Sequence, residues 1–575
     1  MVVSSANTLA APPCGDVVAA PNSGRVWWIL LGIWGLCTII AMGCVVAYSS
    51  DIPFADEYGL TPVLTGEEPL TWQWLWSQHN EHRIVLPKLV LYGLHQLTGR
   101  GSAGMYLNVC MLSLAAWLTM LAAVKQRGHA AATDAFLPVV WLHLGQMQNL
   151  LWSFQVGFVL PSLLTAWIIY VITVDKGRLR GPRGFAATMC IALLPLCGGN
   201  GLLVAAPLAI WMTATLWVEL RAPFAAGRAW TWAMALVACL TYLLLGCYFV
   251  GLQPVALPAS GNSTLWQAVV AASHFLNMGL GPRFNAIWPW GGLVILALLG
   301  FSLGGLVKTA WSRGPVSCMA WGYAAILAGA LLHAIAVGHS RAAVGGLVSR
   351  YTTLMLPAFA AAYLSMPLFL RPRRASLAQS LLLVLGLVML LNAPHGLDYA
   401  RRFHARRSAL LRDLQAGMPA FVLAERYYHH PFGLYFLNAS LLNNRLMMLH
   451  RAKIHPFDKM RPNPAFRVIQ LSLAGDEIGG PPSSVTFERR TKVYFVVGQW
   501  RYAGTPSTLR VTISGALGAN SAEQAWKSVW ELNSGFSTTT NAWIDQQLAS
   551  MRVESEEFSG EMDVARVFVY VATDE

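Results

Sequence analysis

Charge is scarce in this sequence. Asp, Glu, Lys and Arg make up 12% of its 575 residues and hydrophobic residues 55%, whereas soluble domains carry about twice that charged share. Cysteine is sparse and unpatterned: there are nine, none beyond Cys318, with no CxxC pair. Metal-ligand spacing is absent too, so the cysteines read as small buried apolar residues. No glycine-rich phosphate loop is present, and the one histidine-rich cluster, His79-Asn80-Glu81-His82-Arg83, does not have the HExxH spacing of a zinc site.

What is present is a series of apolar runs, each near the twenty or so residues needed to cross a bilayer. The net charge of +13 does not point to nucleic acid. Much of it lies in short loops between those runs: Lys125 and Arg127; Lys176, Arg178, Arg180 and Arg183; Arg221 and Arg228; Lys308 and Arg313; Arg371, Arg373 and Arg374. Cytoplasmic loops carry this bias. Residues 1–26 are expected to form a cytoplasmic tail, and the run Trp27 to Tyr48 a retained first span rather than a cleaved signal.

Threading the remaining runs through alternating sides gives about eleven spans within residues 27–392. They run 103–124, 136–151, 156–174, two within 185–218, 230–250, 287–308, 318–337, 351–370 and 377–391. The segment 84–97 is expected at the surface, and 251–285 as a loop rich in Pro, Gly, Ser and Asn. The split inside 185–218 is placed at Pro195 and Gly198-Gly199-Asn200-Gly201, where glycine allows a tight turn. Residues 393–464 read as an extracytoplasmic helical linker containing Tyr427-Tyr428-His429-His430-Pro431. From 465 to 575, β-branched alternation as in Val564-Ala-Arg-Val-Phe-Val-Tyr-Val reads as a small β-sandwich. The expected fold class is therefore a polytopic α-helical membrane protein with a C-terminal extracytoplasmic α/β region ending in that sandwich.

Ionisable groups concentrate in the first outer loop, 49–84, and a concentration of this kind beside a membrane is a site hypothesis by default. Asp56 and Glu57 admit two chemistries: one carboxylate as a general base toward an attacking hydroxyl, or both sharing a divalent cation such as Mg or Mn. A solvated acidic loop is the bland alternative. Arg83 could grip a phosphate through paired donors, with His79 or His82 adding a donor or carrying a proton and Glu81 beside them. The same cluster also fits the polar face of an interfacial helix. Trp72, Trp74 and Trp76 fit a sugar-stacking platform or an interfacial belt. Arg341, Arg350 and Tyr351 sit at the mouth of a later span, as a cationic clamp or as snorkelling residues.

Three segments, Phe54-Ala-Asp56-Glu57-Tyr58, His79-Asn-Glu-His-Arg-Ile-Val-Leu-Pro87 and Ser349-Arg350-Tyr351, together with the multi-span body, resemble bacterial members of the GT-C superfamily. These membrane glycosyltransferases use polyprenyl-phosphate-linked sugars. The resemblance implies an inverting transfer with Asp56 as base, Glu57 as a second acid whose role varies and extends to holding a metal, and substrate binding by His79, Glu81, His82, Arg83, Arg341, Arg350 and Tyr351. It also implies partners: a polyprenyl-phosphate-linked sugar, a glycan, lipid or protein acceptor, and membrane lipids. The place implied is a bacterial cytoplasmic membrane, with the N-terminus inside and the C-terminal domain outside. The loop 338–350 is short beside the large outer loops of some relatives. A transporter or flippase of an envelope component, and a non-catalytic assembly scaffold, are the alternatives; the glycine break at 198 favours transport.

Overall fold

In the computed structural model of the chain, residues 23–573 are described, apart from 222–227, 254–263, 313–315, 344, 429–437, 462, 473–482, 504–507, 517–523, 534–537 and 557–560. Most of the expected N-terminal tail, Cys14, Arg313 and His429-His430-Pro431 lie outside the described residues. In chain order the helices begin α1 (Ser23–Tyr48), α2 (Thr61–Leu64), α3 (Trp72–Trp76), α4 (Val85–Thr98), α5 (Ala103–Arg127), α6 (Phe136–Leu142) and α7 (Met147–Leu150). They continue with α8 (Val156–Val174), α9 (Gly181–Leu193), α10 (Gly199–Arg221), α11 (Arg228–Phe249), α12 (Leu265–Met278) and α13 (Trp290–Trp311). The last are α14 (Ser317–Ser340), α15 (Thr352–Phe369), α16 (Pro372–Met389), α17 (Ala393–Gln415), α18 (Ala420–Tyr427) and α19 (Ala439–Arg451). The chain divides into two units, one of residues 1–49 and 70–401, the other of residues 50–69 and 402–575. The loop expected at 49–84 has residues in both, and the division near 401 falls between the boundaries expected at 392 and 464.

The first unit is helical. Among the described residues nine helices are long and apolar enough to cross a membrane: α1, α5, α8, α10, α11, α13, α14, α15 and the run that begins with α16. Large apolar side chains stand exposed along them, among them Leu236 and Leu243 on α11 and Leu293 on α13. Surfaces of that kind suit lipid rather than water. The chain is a multi-pass membrane protein.

Nine is fewer than the eleven expected, and two expected spans account for the difference. The stretch 136–151 is not one helix: α6 ends at Leu142, His143 is extended at φ −66° and ψ 146°, and short turns carry the chain to Trp152. Its mean apolarity hides His143, Gln146 and Asn149, whose polar side chains have buried partners to meet. The stretch before Gly198 forms only α9 and one further turn to Cys197. Pro195 and Gly198 stop it. Gly198 takes φ +101°, and a Cβ at Gly201 would stand 1.8 Å from the Leu194 carbonyl, so glycine is required there.

The expected loop at 251–285 also contains a helix, α12. Its start is a reciprocal cap: Gln267 N–H donates to Thr264 Oγ1 at 3.2 Å and Thr264 N–H to Gln267 Oε1 at 2.7 Å. A Cβ on Gly338 of α14 would stand 2.6 Å from the Ala268 carbonyl, so the two helices touch backbone to backbone there.

In the second unit one six-stranded antiparallel sheet replaces the expected two-sheet sandwich. The strands are β3 (Phe466–Ser472), β4 (Ser483–Ala503), β5 (Thr508–Ala516), β6 (Gln524–Asn533), β7 (Thr538–Glu556) and β8 (Glu561–Ala572), after a short hairpin, β1 (Gln78–His79) and β2 (His82–Arg83), in the first unit. Their order is β3-β8-β4-β7-β5-β6. The alternation along β8 explains both faces. Val567, Val569 and Val571 enter a core made only of strand residues, with Phe487, Ile513 and Leu548. Phe568 and Tyr570 point the other way and pack with Phe495 and Val497 against Phe421, Leu446 and Leu449 from α18 and α19. The expected linker, 393–464, is therefore half of this unit's core. The Asp56 segment belongs to the same cluster through Ile52 and Tyr58.

One carboxyl sits between α18 and β8. Tyr570 donates to Glu425 Oε1 at 3.3 Å, and burial raises the Glu425 pKa above its ordinary value despite that bond. A carboxyl raised by folding contributes stability below its unfolded pKa and loses it as pH rises through the folded value. Thermal unfolding of the full-length protein in detergent should therefore show stability falling with pH across that window. Glu425→Gln should flatten the fall; an unchanged slope contradicts this.

Candidate functional site

The first unit's cluster is built on the short helix α3. Five residues give little helix on their own, and two cations hold its C-terminal carbonyls. Lys88 Nζ donates to Trp74 O at 2.7 Å, Ser77 O at 2.9 Å and Ser77 Oγ at 2.9 Å. Arg83 donates to Trp76 O at 2.5 Å, Tyr248 O at 3.0 Å and Val250 O at 2.6 Å. A helix C-terminus favours positive charge. The same cations lie over the Trp74 ring at 4.8 Å and the Trp76 ring at 5.3 Å. Burial, then the neighbouring Arg83, lowers the Lys88 pKa to about 8.

These contacts change the reading of Arg83. It is 6% exposed and its guanidinium is turned onto main-chain carbonyls. Its geometry is that of a staple between α3 and the end of α11 rather than a clamp on phosphate. Trp74 and Trp76 likewise have their faces taken by cations.

The hairpin β1–β2 pairs His79 with His82 and Gln78 with Arg83. Asn80 turns it at φ +48°, a conformation asparagine tolerates. At its tip Glu81 meets Arg341, with Nη2 to Oε1 at 3.4 Å, and His82 Nε2 stands 4.0 Å from the other carboxylate oxygen. The His82 ring rests on the first turn of α10; a Cβ on Gly199 would be 2.8 Å from it. Burial pulls the His82 pKa below its ordinary value, against the opposite pull of Glu81, while Arg341 and His79 add to the lowering. His79 packs on Phe154 at 5.0 Å, and Phe154 stacks with Trp152 at 6.2 Å.

Arg350 differs from the other two arginines. Among the described residues its guanidinium meets no carboxylate or carbonyl; it lies 5.9 Å from the Trp152 ring centre and 5.9 Å from that of Tyr351. Its main chain, in contrast, is held: Asn149 Nδ2 donates to Arg350 O at 3.0 Å. Tyr351 is buried against Phe275 and Phe158. Arg341, Arg350, the β1–β2 hairpin and the breaks before α8 and α10 all lie at helix ends opposite those carrying Lys125, Lys176, Arg221, Lys308 and Arg371.

Asp56 and Glu57 lie in the second unit, on a turn that runs from Ala55 to Leu60. Glu57 is buried and its Oε2 accepts the Phe54 N–H at 2.7 Å. That bond ties one oxygen of the Glu57 carboxylate to the main chain of its own turn. Among the described residues no three His, Cys, Asp or Glu side chains group as a metal site would need. Asp56 is half-buried and follows Ala55, whose φ of +48° is costly for a residue with a Cβ. Arg407 holds the turn: it is 2% exposed, donates to Pro53 O at 3.1 Å and lies over Phe54 at 4.8 Å and Phe403 at 4.9 Å. Backbone strain kept by such packing is found preferentially at functional positions.

The sequence reading missed Lys88, Asn149, Gln146, Trp152, Phe154 and Arg407. The amides within the apolar run 136–151 were the available signal for the first break. Protein-family models give no match to the chain, and neither do curated proteins.

The two arginines should separate in a stability measurement. Arg83→Lys keeps one donor group where three carbonyls are now served, and should cost about 2–4 kcal/mol, since bonds to charged groups contribute roughly 1.5–3 each. Arg350→Lys breaks no such bond and should stay within about 0.5 kcal/mol. Thermal unfolding in detergent reads both; an equally mild Arg83→Lys would contradict the staple assignment.

Proposed function

We propose that the protein is a membrane glycosyltransferase of the GT-C kind, moving a sugar from a polyprenyl phosphate to an envelope acceptor at the outer face of a bacterial cytoplasmic membrane. The observation that carries the reading is Arg350: a cation without a charged or carbonyl partner among the described residues, set over two aromatic rings at the end of a span. Arg350 is partly exposed at that helix end, so its guanidinium is open to an anionic ligand. Aromatic faces beside it suit the apolar face of a sugar or the start of an isoprenoid chain.

The chemistry divides between the two units, a candidate base in the second and candidate phosphate-binding cations in the first. The acceptor hydroxyl gives its proton to the Asp56 carboxylate as its oxygen bonds to the anomeric carbon. The bond from that carbon to the phosphate oxygen breaks, and the electron pair leaves with the polyprenyl phosphate, inverting the centre. Within the first unit, the positive charge of Arg350, and of Arg341 once released from Glu81, suits the phosphate of such a lipid. His82, whose pKa burial lowers, is suited to donate or accept a hydrogen bond there. Glu57 supports the turn through its bond to the Phe54 N–H.

A second reading, a transporter of a lipid-linked component, is favoured by the two broken segments at 143–155 and 194–201. Transporters build their sites on such breaks. It differs in leaving the sugar–phosphate bond intact.

Asp56→Asn keeps size but cannot take the proton, so transfer from a lipid-linked sugar by the purified protein should fall at least about 100-fold with thermal stability retained. A chelator should leave wild-type transfer unchanged. Wild-type turnover by the Asn variant would remove the base from the account, and loss of turnover with chelator would restore the metal.

A further inference from the structure

The main chain at Ser349–Thr353 is tied to the break before α8 by a set of buried amides and hydroxyls. Asn149 Nδ2 donates to Arg350 O at 3.0 Å and to Thr353 Oγ1 at 2.6 Å. Thr353 Oγ1 in turn donates to Gln146 Oε1 at 2.7 Å, and Ser349 Oγ to Gln148 Oε1 at 2.6 Å. The break is itself held from α5, where Asn108 Nδ2 donates to Asn149 O at 2.9 Å and Trp152 O at 3.2 Å. Asn108, Gln146, Asn149 and Thr353 are all 0% exposed. Buried amides carry a large desolvation cost, offset only when each is bonded.

Covering the broken backbone accounts for the bonds from Asn108. The others converge on the two sides of one residue, Arg350, from Ser349 before it and Thr353 after it. The bond from Asn108 to the Trp152 carbonyl also places that residue under the guanidinium. We propose that Gln146, Asn149 and Thr353, with Gln148 on Ser349, form a positioning relay that presents the Arg350 guanidinium to an anionic ligand. This rests on the reading of Arg350 as a phosphate-binding cation. The residues of the relay do not touch the ligand; they remove the freedom that a long side chain on a loose turn would have to lose on binding.

The test is farnesyl monophosphate binding to the full-length protein in detergent, by calorimetry, alongside thermal unfolding. Arg350→Ala should weaken binding about ten-fold or more, the equivalent of one lost charge-assisted contact. Asn149→Ala should weaken it comparably, and the double variant should be no weaker than Arg350→Ala alone, because the relay acts only through that side chain. Thr353→Ser keeps the hydroxyl and should bind as the wild type does. If Asn149→Ala fails to fold, Gln148→Ala, which removes only the Ser349 bond, should still weaken binding about three-fold. No binding by the wild type, or unaltered binding by Arg350→Ala, would sink the phosphate reading and the relay with it. Impaired Arg350→Ala beside wild-type binding by the relay variants, or losses that add in the double variant, would sink the relay alone.

Discussion

Backbone that leaves the helix inside a membrane protein must have its polar groups met by the protein itself, because hydrocarbon offers no partner. The first unit breaks its helices at 143–155 and at 194–201, and side-chain amides cover carbonyls in and beside the first break and at other helix ends. Asn108 takes the carbonyls of Asn149 and Trp152, Gln146 Nε2 that of Trp141 at 2.6 Å, and Asn392 Nδ2 those of Leu280 and Met389, each at 2.8 Å. Arg83 and Lys88 do the same for α3. These residues are the condition for having a shaped, polar surface at the ends of the spans at all.

Two kinds of arginine result. Arg83 is consumed by carbonyls, whereas Arg350 has its backbone fixed and its guanidinium left over aromatic rings. Arg341 lies between these cases, paired with a partly exposed Glu81 at 3.4 Å. A carboxylate at that distance is a partner that a phosphate can replace. In the second unit the same logic governs Arg407, which fixes the strained turn before Asp56 through Pro53 and two aromatic rings.

What the sequence made legible follows from the range of the interactions. Spans such as α5, α8 and α14 are fixed by local apolarity, and the faces of β8 by strict alternation, so both were readable. The break at His143 was not, because a run of apolar neighbours outweighs a few amides in any average. The roles of Asn149 and Arg83 depend on partners 201 and 165 residues away. α12 was hidden by the loop-like composition that precedes it, although Thr264 and Gln267 marked its start. The single sheet was read as two because strand patterns give faces but not pairing order; β4 and β7 are long enough to bring all six strands into one sheet.

The central claim is that a sugar–phosphate bond is broken here, and the most direct measurement is mass spectrometry of lipid-linked sugars and envelope glycans in cells with and without the protein. The account predicts that one polyprenyl-phosphate sugar accumulates in its absence and that one glycan or lipid loses the corresponding residue. Unchanged pools of lipid-linked sugars together with an unchanged envelope glycan profile would contradict it.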